Sequence, residues 1–537
     1  MTVRRTNWLP LCAAWFLVAG TTWAANPATL TPRQQLGKML FFDNISSPPS
    51  MSCAACHSPT VGWTGPNPGI NLHGGVYRGA VPTRFGNRKP PSSAYATFSP
   101  VLHYDLDAGE FVGGMFWDAR ATGERLGDPA ADQALGPFLN PVEQNMPTKQ
   151  AVCEHVAHSK YAALFEQIWG PGSLDCSAAG VEAAYDNIGR SIAAYEASTE
   201  VNSFSSKFDV YWTDCLEAGN DPEDCGRAEG DKAGLDPNNI LSTMEWDGLI
   251  EYGEYCAVCH TSDQPGPNGE PPLFTDFTYE NIGVPRNPEN PFYDMDEVLL
   301  DNGTPINPLG EAFIDRGLGD FLRTRPEWAG LAPMHDGKFK VPTLRNVDRR
   351  PGARWPKAYM HNGVFKTLKE VVHFYNTRDV PEENWPAPEV PENVNRDILE
   401  GVPLGNLQLD AAAEDAIVAF LTTLSDGFVT PSRQSPTLAA RSMAHSPVRL
   451  GPNIPNPFNP ETRIRFFLAA QMPVKLAVYD LSGRLVTVLA AGAYAAGEHW
   501  VVWRGRDERE REAPSGIYVY RLEAGGTSAS GKMLLLK

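Results

Sequence analysis

Apolar side chains recur at three- to four-residue spacing in several stretches, and each such stretch predicts a helix with one face turned inward. Leu36, Met39 and Leu40 do so within 32–42, and Ile188, Ile192 and Tyr195 within 181–198. Ser242-Thr243-Met244-Glu245 has the form of a capping box, opening a helix that carries Trp246, Leu249, Ile250 and Tyr252. A further amphipathic run covers 411–424. Residues 66–114 break the period with Gly, Pro and Asn, which predicts a long loop, and loops of that length usually serve function. Beyond 447 the period becomes two. Thr462–Leu468, Val474–Leu481, Arg484–Leu489, His499–Arg504, Ile517–Leu522 and Lys532–Leu536 alternate between Gly-bearing turns such as Ser482-Gly483, predicting a small β-sandwich.

Two helical stretches run into the same short motif, Cys53-Ala54-Ala55-Cys56-His57 and Cys256-Ala257-Val258-Cys259-His260. With 9 Cys and 11 His in 537 residues, one such match is expected by chance only about 0.003 times. Zinc binding and a thioredoxin-like dithiol are the other uses of paired cysteines, but both motifs end in His and neither lies in a βαβ pattern. Cys-x-x-Cys-His attaches haem c: the thiols form thioethers and the His supplies the proximal iron ligand. Cys53, Cys56, His57 and Cys256, Cys259, His260 therefore read as two covalent haem sites. The expected fold is mainly α, two c-type cytochrome domains with long loops (26–235 and 236–429), then a linker (430–447) and a β-sandwich (448–537).

Residues 1–25 read as an export signal, with Arg4 and Arg5, an apolar core over 9–20 and a Thr22-Trp23-Ala24 cleavage site. That core is too short to span a bilayer. The chain is thus expected to be exported, to the periplasm or to the cell surface or extracellular medium. Its net charge of −19 argues against a nucleic-acid partner. Outside the signal and the haem motifs remain Cys153, Cys176, Cys215 and Cys225, an even number that favours disulfides in an exported protein. Local pairs, Cys153–Cys176 and Cys215–Cys225, are the simplest of three connectivities.

Leu36-Gly37-Lys38-Met39-Leu40-Phe41-Phe42-Asp43, leading to the first motif, resembles the bacterial di-haem cytochrome c peroxidase and MauG family. Phe116-Trp117-Asp118-Ala119-Arg120, Gln133-Ala134-Leu135-Gly136-Pro137, Asn140-Pro141-Val142-Glu143, Val341-Pro342-Thr343-Leu344-Arg345-Asn346, Tyr359-Met360-His361-Asn362-Gly363 and Val418-Ala419-Phe420-Leu421 continue it in collinear order. The resemblance spans about residues 30–427. It implies a peroxidase that reduces hydrogen peroxide with electrons from a small cytochrome c or cupredoxin. Glu143 would be the distal acid/base that moves a proton between the peroxide oxygens, and Gln133 would orient peroxide by hydrogen bonding. Trp117 would mediate transfer between the haems, and Arg120 would pair with a propionate or with Asp118.

The resemblance also marks where this chain departs from one template. His73 lies sixteen residues after His57, where many di-haem peroxidases carry a removable distal ligand. MauG-type members lack it, so distal ligand and loop histidine both remain open. Tyr375 lies fourteen residues after His361, at the place of the peroxidases' distal Met. A phenolate there would lower the potential of the second haem, as in MauG, with His373 as competitor. The family's interdomain calcium position matches Arg88-Lys89-Pro90-Pro91, with Lys in place of Asn. A cation cannot ligate calcium, so Lys89 substitutes its own charge or Asn87 serves. MauG-like oxidation of a protein or organic substrate, or simple electron carriage, would use the same haems. Gly451-Pro452-Asn453-Ile454-Pro455-Asn456-Pro457-Phe458-Asn459-Pro460 and Ser515-Gly516-Ile517-Tyr518 resemble a type IX secretion sorting module of FlgD-like immunoglobulin fold. Its implied partner is the secretion machinery.

Overall fold

The helices that lead into the two motifs start and pack by the same devices. Thr31 caps Pro32–Phe42 through a reciprocal capping box with Gln34, and Ser242 caps Thr243–Tyr255 through one with Glu245. Each then crosses a second helix at a glycine. Gly37 lies so close to Val181–Glu196 that a Cβ would stand 1.8 Å from the Ser191 carbonyl oxygen. Gly248 meets Ala411–Thr422 in the same way, 1.9 Å from the Ala416 oxygen. Only a residue without a side chain permits this approach.

The computed structural model describes residues 30–399, 402–429, 448–454, 458–468, 470–480, 484–509, 511–525 and 527–535. The predicted signal, the linker 430–447 and the Ser482-Gly483 turn lie outside them. Contacts divide the chain into two compact units, Met1–Val429 and Thr430–Lys537. In the first, the glycine crossings organise separate cores. Leu36, Leu40, Phe41, Ile188, Ile192 and Tyr195 form one, with Trp63. Leu249, Tyr252, Phe274, Phe420 and Leu421 form the other. Helix Lys207–Glu217, on the N-terminal side of the sequence-based division at 235, buries Phe208, Tyr211 and Trp212 in this second core. Helix is less abundant than a mainly α expectation suggests, because Gly- and Pro-rich segments run as irregular chain between the helices.

Buried Arg345 bolts these segments together. Its guanidinium donates to Asp209 at 2.8 and 3.2 Å and to the Pro272 carbonyl at 2.7 Å, and lies over the rings of Tyr95, Phe204 and Phe274. The bond to a carboxylate satisfies both charges where water is excluded. Disulfides join Cys153 to Cys176 and Cys215 to Cys225, the local pairing.

The second unit is a two-sheet antiparallel sandwich. One sheet orders Leu485–Tyr494, Met472–Asp480, Gly516–Ala524 and Thr527–Leu535; the other orders Gly497–Trp503, Thr462–Leu468 and Val448–Ile454. Alternation places Ile464, Phe466, Leu468, Leu476, Val478 and Leu522 inward. The strand Val448–Ile454 was not expected, since its Gly-Pro-Asn composition reads as turn; its register with Thr462–Leu468 shifts between Leu450 and Asn453.

Candidate functional site

Both motifs present the same proximal geometry. His57 Nδ1 lies 3.2 Å from the Trp63 carbonyl oxygen, and His260 Nδ1 lies 3.1 Å from that of Phe274. A carbonyl can only accept, so Nδ1 carries the hydrogen and Nε2 the lone pair. Burial pushes both imidazoles down to about 4, keeping them neutral at physiological pH. The carbonyls are aimed by strain: Trp63 and Phe274 adopt φ of 61° and 56°, a left-handed conformation that bulky side chains avoid. Among the described residues the free cysteines are Cys53, Cys56, Cys256 and Cys259. Burial pushes all four thiols up to about 12, the opposite of an activated thiolate. Paired neutral thiols beside an oriented imidazole fit haem c at both positions.

The surroundings of the two motifs differ. In the first half, Glu143 lines a cavity of about 580 Å³ with Phe116, Arg120, Asn140 and two further arginines, Arg125 and Arg325. Asn140, the C-cap of helix Pro129–Leu139, donates from Nδ2 to Glu143 Oε1 at 2.7 Å. Burial raises the Glu143 carboxyl; Arg120 and the Asn140 amide pull it partly back, and the net direction is up. A carboxyl that holds its proton nearer neutrality can both give and take one. Arg120 stacks on Phe116, 3.7 Å from the ring centroid, and bonds both oxygens of Asp118 at 2.9 Å. Gln133 lies half-buried on the same helix, but its neighbours Asp132 and Gly136, not Gln133, line the cavity.

In the second half, Tyr375 on helix Leu368–Thr377 lines one cavity with Cys256, Cys259 and His260. Burial is the main cause that raises its phenol, so an ionised form there needs a neighbouring cation. His373, two residues earlier, turns elsewhere: Nδ1 meets Glu414 at 2.8 Å and Nε2 meets Glu383 at 3.3 Å. Trp117 lines the same cavity. Its indole donates to the Lys89 carbonyl at 2.9 Å, and its own carbonyl accepts from the Lys340 amide at 2.9 Å. The ring is thus pinned between a loop of the first half and strand Phe339–Lys340 of the second. His361 packs beside it, centroids 6.5 Å apart, and stacks flat on Phe339 at 3.5 Å.

His73 is 71% exposed in its side chain and lies 3.8 Å from Glu289, among the lining residues of neither cavity. At the position that the resemblance assigns to calcium, Lys89 Nζ bonds Thr64 Oγ1 at 3.3 Å and the Pro90 carbonyl at 3.2 Å. Asn87 donates to Asp315, whose charge Arg88 already neutralises. These residues do not fit a calcium ion, and the described residues hold no group of three His, Cys, Asp or Glu suited to a metal. Motif spacing and the family resemblance had pointed to the thiols, both histidines, Glu143 and Tyr375 as candidates. They missed Asn140 as the partner of Glu143 and the strained Trp63 and Phe274, which carry no signature besides following Gly62 and preceding Thr275.

Residues 31–215 match the di-haem cytochrome c peroxidase family, and residues 455–528 match the FlgD Ig-like domain. The chain is 33% identical over 421 residues to the methylamine utilization protein MauG of Paracoccus denitrificans, covering 76% of this chain and 92% of that protein. It is 26% identical to cytochrome-c peroxidase IdrP2 of Pseudomonas sp. strain SCT, over 75% of this chain and 82% of that one. In structure it is similar to the diheme peroxidase BthA of Burkholderia thailandensis, with 28% identity, a TM-score of 0.56, and coverage of 74% of this chain and 87% of that one.

Proposed function

Because the chain belongs to the di-haem cytochrome c peroxidase and MauG family, an oxidoreductase family, we propose that it reduces hydrogen peroxide at its N-terminal haem site. Its two haems, covalently held by Cys53 and Cys56 and by Cys256 and Cys259, would supply the redox equivalents when bound. His57 and His260 would each offer Nε2 to iron, and Tyr375 would close the second site. Electrons from a small cytochrome c or cupredoxin would arrive at the second half and pass by Trp117, which bridges segments of both halves. We divide the haem-bearing region near 205 rather than 235, since Phe208 and Trp212 join the second core.

The observation that carries this reading is the contrast between the two cavities. Glu143 stands at an open cavity on the first side, held by Asn140 at 2.7 Å. On the second, Tyr375 lines a cavity together with the motif residues Cys256, Cys259 and His260. Asn140 fixes which Glu143 oxygen is free to take a proton, and Arg120 limits how strongly it is held. Steady-state turnover of the fully haem-loaded protein, with peroxide and a reduced small cytochrome, tests the proposal. Glu143→Gln is expected to lower kcat by about 10²–10⁴-fold, the range for a lost acid/base; unchanged kcat removes Glu143 from the mechanism.

Tyr375 favours a second reading, oxidation of a protein or organic substrate as in a MauG-like enzyme. An anionic oxygen donor stabilises oxidised iron. For the C-terminal unit, which matches the FlgD Ig-like domain, we propose a sorting role that delivers the protein to the cell surface or medium. Among the described residues no helix is long and apolar enough to cross a membrane.

A further inference from the structure

The two halves repeat the same proximal frame, yet they differ in one chemical respect. Behind His57 the strained residue is a tryptophan; behind His260 it is a phenylalanine. Indole gives up an electron far more readily than benzene does. The Trp63 ring lies 6.1 Å from that of Tyr195 and 5.9 Å from that of Phe41, in edge-to-face contacts. Tyr195 in turn donates its hydroxyl to Glu200 Oε2 at 3.3 Å. Glu200 is 35% exposed and is held at 2.6 Å by Lys38, itself 37% exposed. Phe42, 44% exposed, covers the Tyr195 ring at 6.3 Å. Tyr195 is buried but stands one side chain below the surface.

We infer that Trp63 and Tyr195 form a one-way relay that lets an unspent oxidising equivalent leave the N-terminal haem for the protein surface. The inference rests on the peroxidase reading, since hydrogen peroxide is the oxidant. One electron leaves the Trp63 indole toward the haem site, by way of the hydrogen bond that His57 Nδ1–H donates to the Trp63 carbonyl. Tyr195 refills the indole. As it does so its O–H bond breaks and the proton passes to the Glu200 carboxylate, leaving a neutral tyrosyl radical. An external reductant then returns one electron, and the Glu200 proton goes back to the phenol. Lys38, whose ammonium lies 5.9 Å over the Tyr195 ring, disfavours a ring cation and so favours the neutral radical.

The second half lacks each component. Phe274 cannot be oxidised under these conditions. The nearby Tyr252 donates its hydroxyl to the His260 carbonyl at 2.6 Å, and a carbonyl is too weak a base to take the proton. The relay therefore serves only the side that Glu143 opens to peroxide.

Freeze-quenched electron paramagnetic resonance of the haem-loaded protein, mixed with peroxide in the absence of donor, tests this. The wild type should give a tyrosyl signal that is lost in Tyr195→Phe, a change that keeps the ring packing. Glu200→Gln should reduce that signal several-fold, and Tyr195→Phe should bleach its haem after several-fold fewer peroxide additions. No protein radical in the wild type, or the same signal in Tyr195→Phe, overturns the relay when the haem absorption still responds to peroxide. A haem band that peroxide leaves unchanged overturns the peroxidase reading and the relay with it.

Discussion

A carboxyl is far cheaper to bury neutral than charged, and Glu196 is held on the neutral side. It is 4% exposed, one of its oxygens has no hydrogen-bond partner, and burial pushes it up to about 8. The unfolded chain would release this proton near the ordinary carboxylate value, so between there and about pH 8 only the native state holds it. Stability then falls as pH rises through that window, by up to ~1.4 kcal/mol per unit. Denaturation midpoints of Glu196→Gln should accordingly lose this slope, and equal slopes in both proteins would show that Glu196 is ionised when folded. Tyr375 supports a second prediction. Removing its hydroxyl in Tyr375→Phe should change the absorption and resonance spectra of the second haem while sparing the first; unchanged spectra exclude coordination by Tyr375. These sites were unequally legible. Adjacent thiols and imidazole must stand in fixed order to hold a porphyrin, so the sequence displays them. Beside His73, Gly74 backs closely onto the Glu289 carbonyl oxygen, far along the chain, and spacing from His57 carries no trace of that contact.

At the scale of elements, the two motif helices are set by glycine. A Gly→Ala change inside a helix normally stabilises by up to ~1 kcal/mol. At Gly37 and Gly248 the added carbon would stand 1.8 and 1.9 Å from a carbonyl oxygen of the crossing helix. Backbone cannot yield as a flexible side chain can, so overpacking should prevail, destabilising each variant by about 1–3 kcal/mol or more. Chemical denaturation and haem content per chain measure this, and a stabilised Gly37→Ala would show that the helices do not cross there. These helices were readable because capping box and apolar period agree over Pro32–Phe42 and Thr243–Tyr255. Their partners were harder. Lys207–Glu217 has a period as clear as theirs, but nothing in its residues says which core receives Phe208. The strand Val448–Ile454 was hidden by proline and glycine, tolerated there because the segment ends a sheet and has one neighbour, Thr462–Leu468, within it.

At the scale of the molecule, haem chemistry and the β-sandwich occupy separate units, each with its own buried core. Both motifs, Glu143, Trp117 and Tyr375 lie before residue 430, and the FlgD Ig-like match lies wholly after it. A unit that closes its own core can fold without the other. A chain ending at residue 429 should therefore load two haems and keep kcat with peroxide within about twofold of the full-length protein. Pyridine haemochrome content and steady-state rates measure both quantities on equal protein. The full-length chain, expressed in a host with the matching secretion apparatus, should reach the cell surface or medium, and the shortened chain should remain behind the outer membrane. Loss of haem or of turnover in the shortened chain would make the sandwich part of the catalytic fold. Equal export of both forms would leave it a structural appendage, because a sorting signal is defined by what fails to travel without it.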